Sequence, residues 1–198
     1  SQMVRLSPKE KRYYEAVSAY CRALAKQSGR SPSFGVIMRE RQAASCIPAS
    51  VEYLSQNRGR FDDLREVEGW LTDAEHDDQD ELERLPGTID EVIALGRQCE
   101  HDSKFDVFQT ALGDALREKP TRKILVFSFF KRTLAYLQQQ LRDAGINCLL
   151  IDGSVPPPER SARIHQFRET DISVLLSSEV GAEGLDFQFC DTVVNYDL

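Results

Sequence analysis

Long apolar runs are what this sequence most plainly lacks. No stretch of its 198 residues approaches the roughly 20 consecutive apolar residues that span a bilayer. The opening "SQMVRLSPKEKRYY" has no apolar core segment, so no signal peptide is expected there. Cysteine is sparse, and the five residues Cys21, Cys46, Cys99, Cys148 and Cys190 form no CxxC pair. That pattern argues against a disulfide framework or a zinc site, and for buried thiols in a reducing, cytoplasmic setting. Cys99-x-His101, the nearest approach to a metal pair, stands isolated among charges. No glycine-rich loop ending in Lys-Ser or Lys-Thr occurs, so no loop of that kind cradles nucleotide phosphates. "SGRS" at Ser28 to Ser31 lacks both the lysine and a preceding strand. "DELE" at Asp80 to Glu83 resembles an acidic magnesium box, but "AEHDDQ" precedes it where an apolar strand is needed.

Charge is plentiful but uneven. The net charge is -7, while Phe61 to Asp102 alone carries fifteen acidic and three basic residues. The remainder of the chain is therefore basic on balance, which leaves room for a nucleic-acid face. The acidic stretch, about 61–101, is poor in apolar residues at its centre and reads as a solvated insertion.

Periodicity divides the chain near Pro120. Before it the pattern is helical. Ser7, Pro8 and Glu10 supply an N-cap, a first-turn proline and a capping-box acid. Tyr14, Val17, Cys21 and Leu24 then share one face. Further helices are expected over about Ser33 to Ser45, ended by Pro48, and over Ser50 to Ser55. Another follows Thr88 with its capping-box Glu91, and one more carries Phe105, Phe108, Leu112 and Leu116. After Pro120, apolar strands "KILVFSFF", "INCLLIDG", "DISVLLSS" and "DTVVNYDL" alternate with helical tracts. Leu134, Leu137 and Leu141 of the first tract face inward and Gly145 stops it; Ile164 and Phe167 of the second face inward. The fold class is therefore α/β: a parallel sheet with helices on both faces, preceded by a helical subdomain. Ligands of such sheets lie at the carboxyl ends of the strands. Those ends carry Ser128-Phe129, Asp152-Gly153-Ser154 and Ser177-Ser178-Glu179.

"ILVFSFF", "IDGSVPPPERSARIHQF" and "VLLSSEVGAEGLDFQFCDTVVNYDL" together resemble the second RecA-like lobe of a superfamily-two helicase-like ATPase. The branch resembled is the Swi/Snf type, of the bacterial RNA-polymerase-associated kind. The three stretches match motif IV, the segment after it and motif V, in family order and spacing. "DSKF" at Asp102 to Phe105 is similar to the family's lead-in, and "RERQAASCIPASVEYL" to the segment that joins the two lobes. The resemblance runs over Asp102 to Leu198 and extends to Arg5 to Leu54.

That resemblance implies a division of labour. Glu183, Gly184 and Asp186 would face ATP between two lobes, where many family members carry Asn in place of Asp186. Ser177, Ser178 and Glu179 would lie near the nucleic-acid track. Ser128, Gly153 and Ser154 would touch the DNA backbone, with Lys131, Arg132 and Arg160 adding charge. The residue chemistry agrees: Gly181 and Gly184 permit close backbone approach, Asp186 suits a ribose hydroxyl, and serines donate to phosphate without reading a base. Plainer readings stand beside these. Lys131 and Arg132 also fit a solvated first helical turn, Ser128 a strand-end hydroxyl, and Phe127, Phe129, Phe130, Phe187 and Phe189 a core cluster.

The resemblance further implies that the phosphate loop and magnesium carboxylates belong to a first lobe, and that the arginine-bearing motif VI follows Leu198. No catalytic residue is expected within 102–198, a lobe incomplete at its C-terminus, or within the helical segment 1–101. This chain alone is expected to be inactive, while a full-length parent would use ATP and magnesium to move on duplex DNA. Other expectations are a strand-separating helicase, a partner-binding module whose acidic run meets a basic protein such as an RNA polymerase subunit, or an unrelated α/β nucleotide-binding lobe.

Overall fold

The computed structural model describes residues 4–27, 34–57, 88–178 and 186–197. By contact they fall into two units, 4–57 with 88–106, and 107–197, the boundary lying inside a helix.

The first unit begins with α1 (Pro8–Gln27). Its capping box forms as the sequence predicts: the Ser7 amide donates to Glu10 Oε2 at 2.6 Å, and the Glu10 amide donates to Ser7 Oγ at 3.3 Å. The buried stripe differs from the expected one. Tyr13, Val17, Tyr20 and Cys21 are buried and Tyr14 only half-buried. The side chain of Leu24 lies outside the described residues, as do 58–87 with most of the acidic run. Two neighbouring tyrosines compete for one face, and the hydroxyl of Tyr13 decides it by donating to the buried Ser50 Oγ at 2.8 Å.

α2 (Phe34–Ser45) ends at Cys46, and α3 (Ile47–Gln56) starts earlier than expected. Pro48 does not separate the two helices; it occupies the first turn of α3, where its missing N–H costs nothing. α4 (Thr88–Arg97) completes the bundle, beginning at the threonine that the sequence marks. Val17, Ala43, Tyr53, Leu54, Val92 and Ile93 form its core. Arg39 is fully buried, stacked 3.7 Å from the Tyr53 ring centroid, and donates to Gln42 Oε1 at 2.7 Å.

One carboxylate joins the two ends of this unit. Glu10 is 1% exposed. Besides Ser7 it accepts from the Ser103 amide at 2.7 Å and the Ser103 hydroxyl at 2.6 Å. Burial alone would raise its pKa, but these hydrogen bonds from Ser103 and Ser7 outweigh burial and hold it below the ordinary 4.5.

α5 (Ser103–Glu118) carries the chain into the second unit. Asp102 caps it, its Oδ1 accepting from the Lys104 and Phe105 amides at 3.1 and 3.0 Å. The elements that follow are β1 (Ile124–Phe127), α6 (Lys131–Asp143), β2 (Cys148–Ile151), α7 (Pro157–Glu169), β3 (Val174–Ser177) and β4 (Thr192–Asn195). The four strands are all parallel, in the order β2-β3-β1-β4. β1 to β2 crosses the sheet one way and β2 to β3 returns, so right-handed crossovers put α6 and α7 on opposite faces.

The packing agrees with that topology. Ile164 and Phe167 of α7 meet Leu125, Ile151 and Leu175 on one face. Leu134, Leu137 and Leu141 of α6 are fully buried at its contacts with β2 and β3. Full burial of each leucine contributes roughly 1.5–3 kcal/mol. α6 ends in a Schellman pattern: Gly145 has φ 74°, its amide reaches Arg142 O at 2.9 Å, and the Ile146 amide reaches Leu141 O at 2.8 Å. At the amino edge of the sheet, Asp191 accepts from Lys119 Nζ at 2.6 Å and the Lys123 amide at 3.1 Å.

Two predictions follow from the helical unit. Glu10→Gln should destabilise the 198-residue chain at neutral pH by about 1–3 kcal/mol, measured by urea unfolding. Because the folded pKa lies below 4.5, the stabilisation is complete above that pH and is lost as the pH falls through the folded value. The gap between the two proteins should therefore close as the pH is lowered well under 4.5; a gap constant with pH would contradict the assignment. Separately, a methyl group on Gly96 would stand 2.2 Å from Val51 Cγ2 and 2.7 Å from Tyr13 Cε2. Gly96→Ala should cost about 1–3 kcal/mol in the same assay, despite alanine's better helix propensity.

Candidate functional site

Parallel pairing places the carboxyl ends of all four strands on one edge. Phe127 of β1 lies level with Ser177 of β3 and Asn195 of β4, and Ile151 of β2 lies level with Ser177. Hydrogen bonds beyond the strands continue the ladder. The Ser178 amide reaches Ile151 O at 3.1 Å, the Ser128 amide reaches Ser177 O at 3.2 Å, and the Tyr196 amide reaches Phe127 O at 2.8 Å.

The turn after β1 is tied down by a residue absent from the expected set. Asp197, just past β4, accepts from Ser128 Oγ at 2.9 Å and from the Phe129 amide at 2.6 Å. Ser128 Oγ in turn accepts from the Phe130 amide at 3.2 Å. Ser128 is 2% exposed, so its hydroxyl points into this network. Lys131 and Arg132, half-exposed, open α6 directly beyond it.

The turn after β2 is internally braced. Asp152 Oδ1 accepts from the Ser154 amide at 2.8 Å and also from the Ser154 hydroxyl. Arg160 reaches back from α7: its Nε donates to Val155 O at 2.6 Å and its guanidinium donates to Gly153 O at 3.1 Å. Arg160 is therefore a brace for the turn as well as a charge beside it. Gly153 is half-exposed and Ser154 exposed.

At the end of β3, Ser177 and the following Ser178 are both fully buried, and Ser177 Oγ donates to Ser178 O at 3.0 Å. Glu179, Glu183 and Gly184 lie outside the described residues, together with Gly181. Asp186 is exposed and its Oδ1 accepts from the Gln188 amide at 3.0 Å, an Asx turn that aims the segment back toward the sheet. Phe187 and Phe189 then pack on the sheet core beside Phe127, and Phe130 is 1% exposed, as the core reading of these rings expects. Arg168 covers the Phe189 ring at 4.4 Å.

The described charges at this edge are mixed: Lys131, Arg132 and Arg160 against Asp152 and Asp197. Such a surface binds a phosphate backbone only through local geometry, not through bulk positive potential. No group of three or more His, Cys, Asp or Glu among the described residues is arranged to hold a metal ion. The five thiols are free; burial pushes Cys21 up to about 12 and Cys190 to about 11, which makes them poor nucleophiles at neutral pH. No helix among the described residues is long and apolar enough to cross a membrane.

Comparison with known proteins finds relatives of the sheet-bearing part of the chain. Residues 103–198 match the family described as the Helicase conserved C-terminal domain. A curated relative, DEAD-box ATP-dependent RNA helicase 36 of Oryza sativa subsp. japonica, is 31% identical over 111 residues, which is 56% of this chain and 22% of that protein. The chain thus spans less than a quarter of that relative's length. Among solved structures, the Hef helicase domain of Pyrococcus furiosus aligns with 98% of this chain and 48% of its own, at 18% identity and a TM-score of 0.63. The C-terminal part of the Fun30 ATPase domain aligns with 98% of this chain and 72% of its own, at 18% identity and a TM-score of 0.62. Residues 103–198 thus match that family's model, and their parallel sheet has the RecA-like fold of these solved structures.

Proposed function

We propose that this chain is the second lobe, with its preceding helical segment, of a two-lobed nucleic-acid-dependent ATPase that translocates on duplex DNA in the Swi/Snf manner. The observation that carries the reading is the single carboxyl edge, which gathers Ser128, Gly153, Ser154, Ser177 and Ser178. The fold supports it as well, because the alignment with the Fun30 ATPase domain takes in the helical unit and the lobe alike.

In this reading the edge serves two ligands. Glu183, Gly184 and Asp186 line the nucleotide side, and exposed Asp186 offers a carboxylate oxygen to a ribose hydroxyl. Gly153, Ser154, Lys131 and Arg132 meet the phosphate backbone, Lys131 and Arg132 by charge, Gly153 by close backbone approach. Arg160 holds the Gly153 turn in shape from below. Ser128, Ser177 and Ser178, buried as whole residues, shape the same track from beneath, and Glu179 is assigned to its flank. None of these contacts reads a base, so binding is expected to be tolerant of sequence.

ATP with magnesium would supply the phosphoryl group and its charge neutralisation. The resemblance assigns the carboxylates that would hold the metal to the facing lobe. An arginine finger is worth roughly 1000- to 100000-fold in phosphoryl transfer, and this chain shows no motif that supplies one. Residues 1–198 by themselves are accordingly expected to hydrolyse no ATP, and closure of two lobes around the nucleotide would drive stepping along the backbone.

A second reading has RNA as the substrate. The identity of 31% to a DEAD-box RNA helicase favours it.

The test is ATP turnover by the intact protein in which these residues lie, measured with no nucleic acid, with duplex DNA and with RNA. Stimulation by duplex DNA is the expected outcome. Stimulation by RNA alone would favour the second reading, and no turnover under any condition would overturn both. Replacing Lys131 with Ala should lower the slope of log K against log salt by about 1, the signature of one lost phosphate contact.

A further inference from the structure

We infer that Asp197 is the positioning residue for the nucleic-acid side of this edge: a clasp at the sheet edge that sets the shape of the β1–α6 turn. The inference rests on the reading of that edge as a nucleic-acid track. Its grounds are geometric. One carboxylate oxygen of Asp197 accepts the Ser128 hydroxyl at 2.9 Å, and the other accepts the Phe129 amide at 2.6 Å. Ser128 Oγ then accepts the Phe130 amide at 3.2 Å, one residue before Lys131. Phe130 is the N-cap of α6 and offers no side-chain cap of its own, so Ser128 and Asp197 organise the start of that helix.

The clasp also crosses the sheet. Ser128 binds Ser177 O through its amide, and Tyr196 binds Phe127 O through its own. The Asn195 side chain fixes the approach of Asp197, its Oδ1 accepting the Asp197 amide at 3.1 Å. Three strand ends, β3, β1 and β4, are therefore locked through one serine and one aspartate. The Ser128 hydroxyl, 2% exposed, acts here through position and not by touching phosphate.

This assignment predicts a sign that simple charge does not. Asp197 is an anion beside a path for phosphates, so deleting its charge would strengthen binding if charge alone mattered. As a positioning residue its loss weakens binding instead. Asp197→Asn keeps the shape and a carbonyl acceptor for the Phe129 amide, whereas Asp197→Ala keeps neither.

The experiment compares the intact protein with its Asp197→Asn, Asp197→Ala and Ser128→Ala variants, titrated against a fluorescein-labelled DNA duplex and an RNA of equal length. All measurements are made well below each variant's melting temperature. Asp197→Ala should weaken binding roughly ten- to hundredfold, and Asp197→Asn should stay close to the unaltered protein. Asn and Ala variants that move together, or an Ala variant that binds tighter, overturn the inference. A melting cycle on the 198-residue chain tests the clasp without any ligand: Ser128→Ala with Asp197→Ala should lower Tm no further than the larger single change. Additive losses overturn the clasp. If the unaltered intact protein binds neither nucleic acid, the functional reading falls and the role of the turn with it, and the melting cycle alone decides whether the clasp exists.

Discussion

A parallel sheet has a polarity that an antiparallel one lacks: every strand delivers its carboxyl end to the same edge. In this chain that constraint gathers residues from positions 128, 153, 177 and 197 into one line. The crossovers through α6 and α7 exist to return the chain to the opposite edge, so that the next strand can run the same way. Both faces of the sheet must then be apolar, because both are covered. Leu134, Leu137 and Leu141 serve one face, Ile164 and Phe167 the other. What remains for polar chemistry is the edge itself.

At such an edge a polar residue at or just past a strand end has two fates. It can extend the ladder and be buried, as Ser128, Ser177 and Ser178 are, or it can leave the ladder and face outward, as Ser154 does. The side chain does not choose between them; the following residues do. Asp152 pulls Ser154 into a tight turn and Arg160 braces it from α7, whereas Asp197 draws Ser128 inward. Similar serines thus do different work. One presents backbone and hydroxyl at the surface, and the other fixes the geometry of a helix start beside two basic residues.

The alternation of strands and helices was legible in the residues because apolar runs and inward leucines are local signals. Gly145 as a helix stop and the Ser7–Glu10 capping box belong to the same class. The misreadings share a cause. Pro48 looks like a terminator, yet a proline is also welcome in a first turn, and only the path of the chain shows which applies. Tyr13 displaced Tyr14 from the buried stripe because its hydroxyl has a partner 37 positions away. Arg160 looks like a free surface charge from its neighbours in sequence, but the carbonyls it holds at Gly153 and Val155 sit in the preceding turn. Asp197 gave no local sign at all, standing beyond a strand without a cap or motif of its own.

The two carboxylates that matter most to the described structure use one device. Glu10 takes the amide and hydroxyl of Ser103 at the start of α5, across 93 positions. Asp197 takes the hydroxyl of Ser128 and the next amide at the start of α6, across 69 and 68 positions. In each case an acid from far along the chain binds at a helix start, in α5 beside the local Asp102 cap and in α6 on the residue before the N-cap Phe130. A local cap would stabilise the helix equally well, but it would leave the helix start free to shift against its neighbours. A distant acid couples the cap to the tertiary fold, so the helix start is well placed only when the rest of the unit is. For α5 that coupling serves packing alone. For α6, whose first residues are Lys131 and Arg132, the same coupling fixes where the helix start that carries two positive charges stands, and the proposed backbone track, recognising position and not base, would need that kind of constraint.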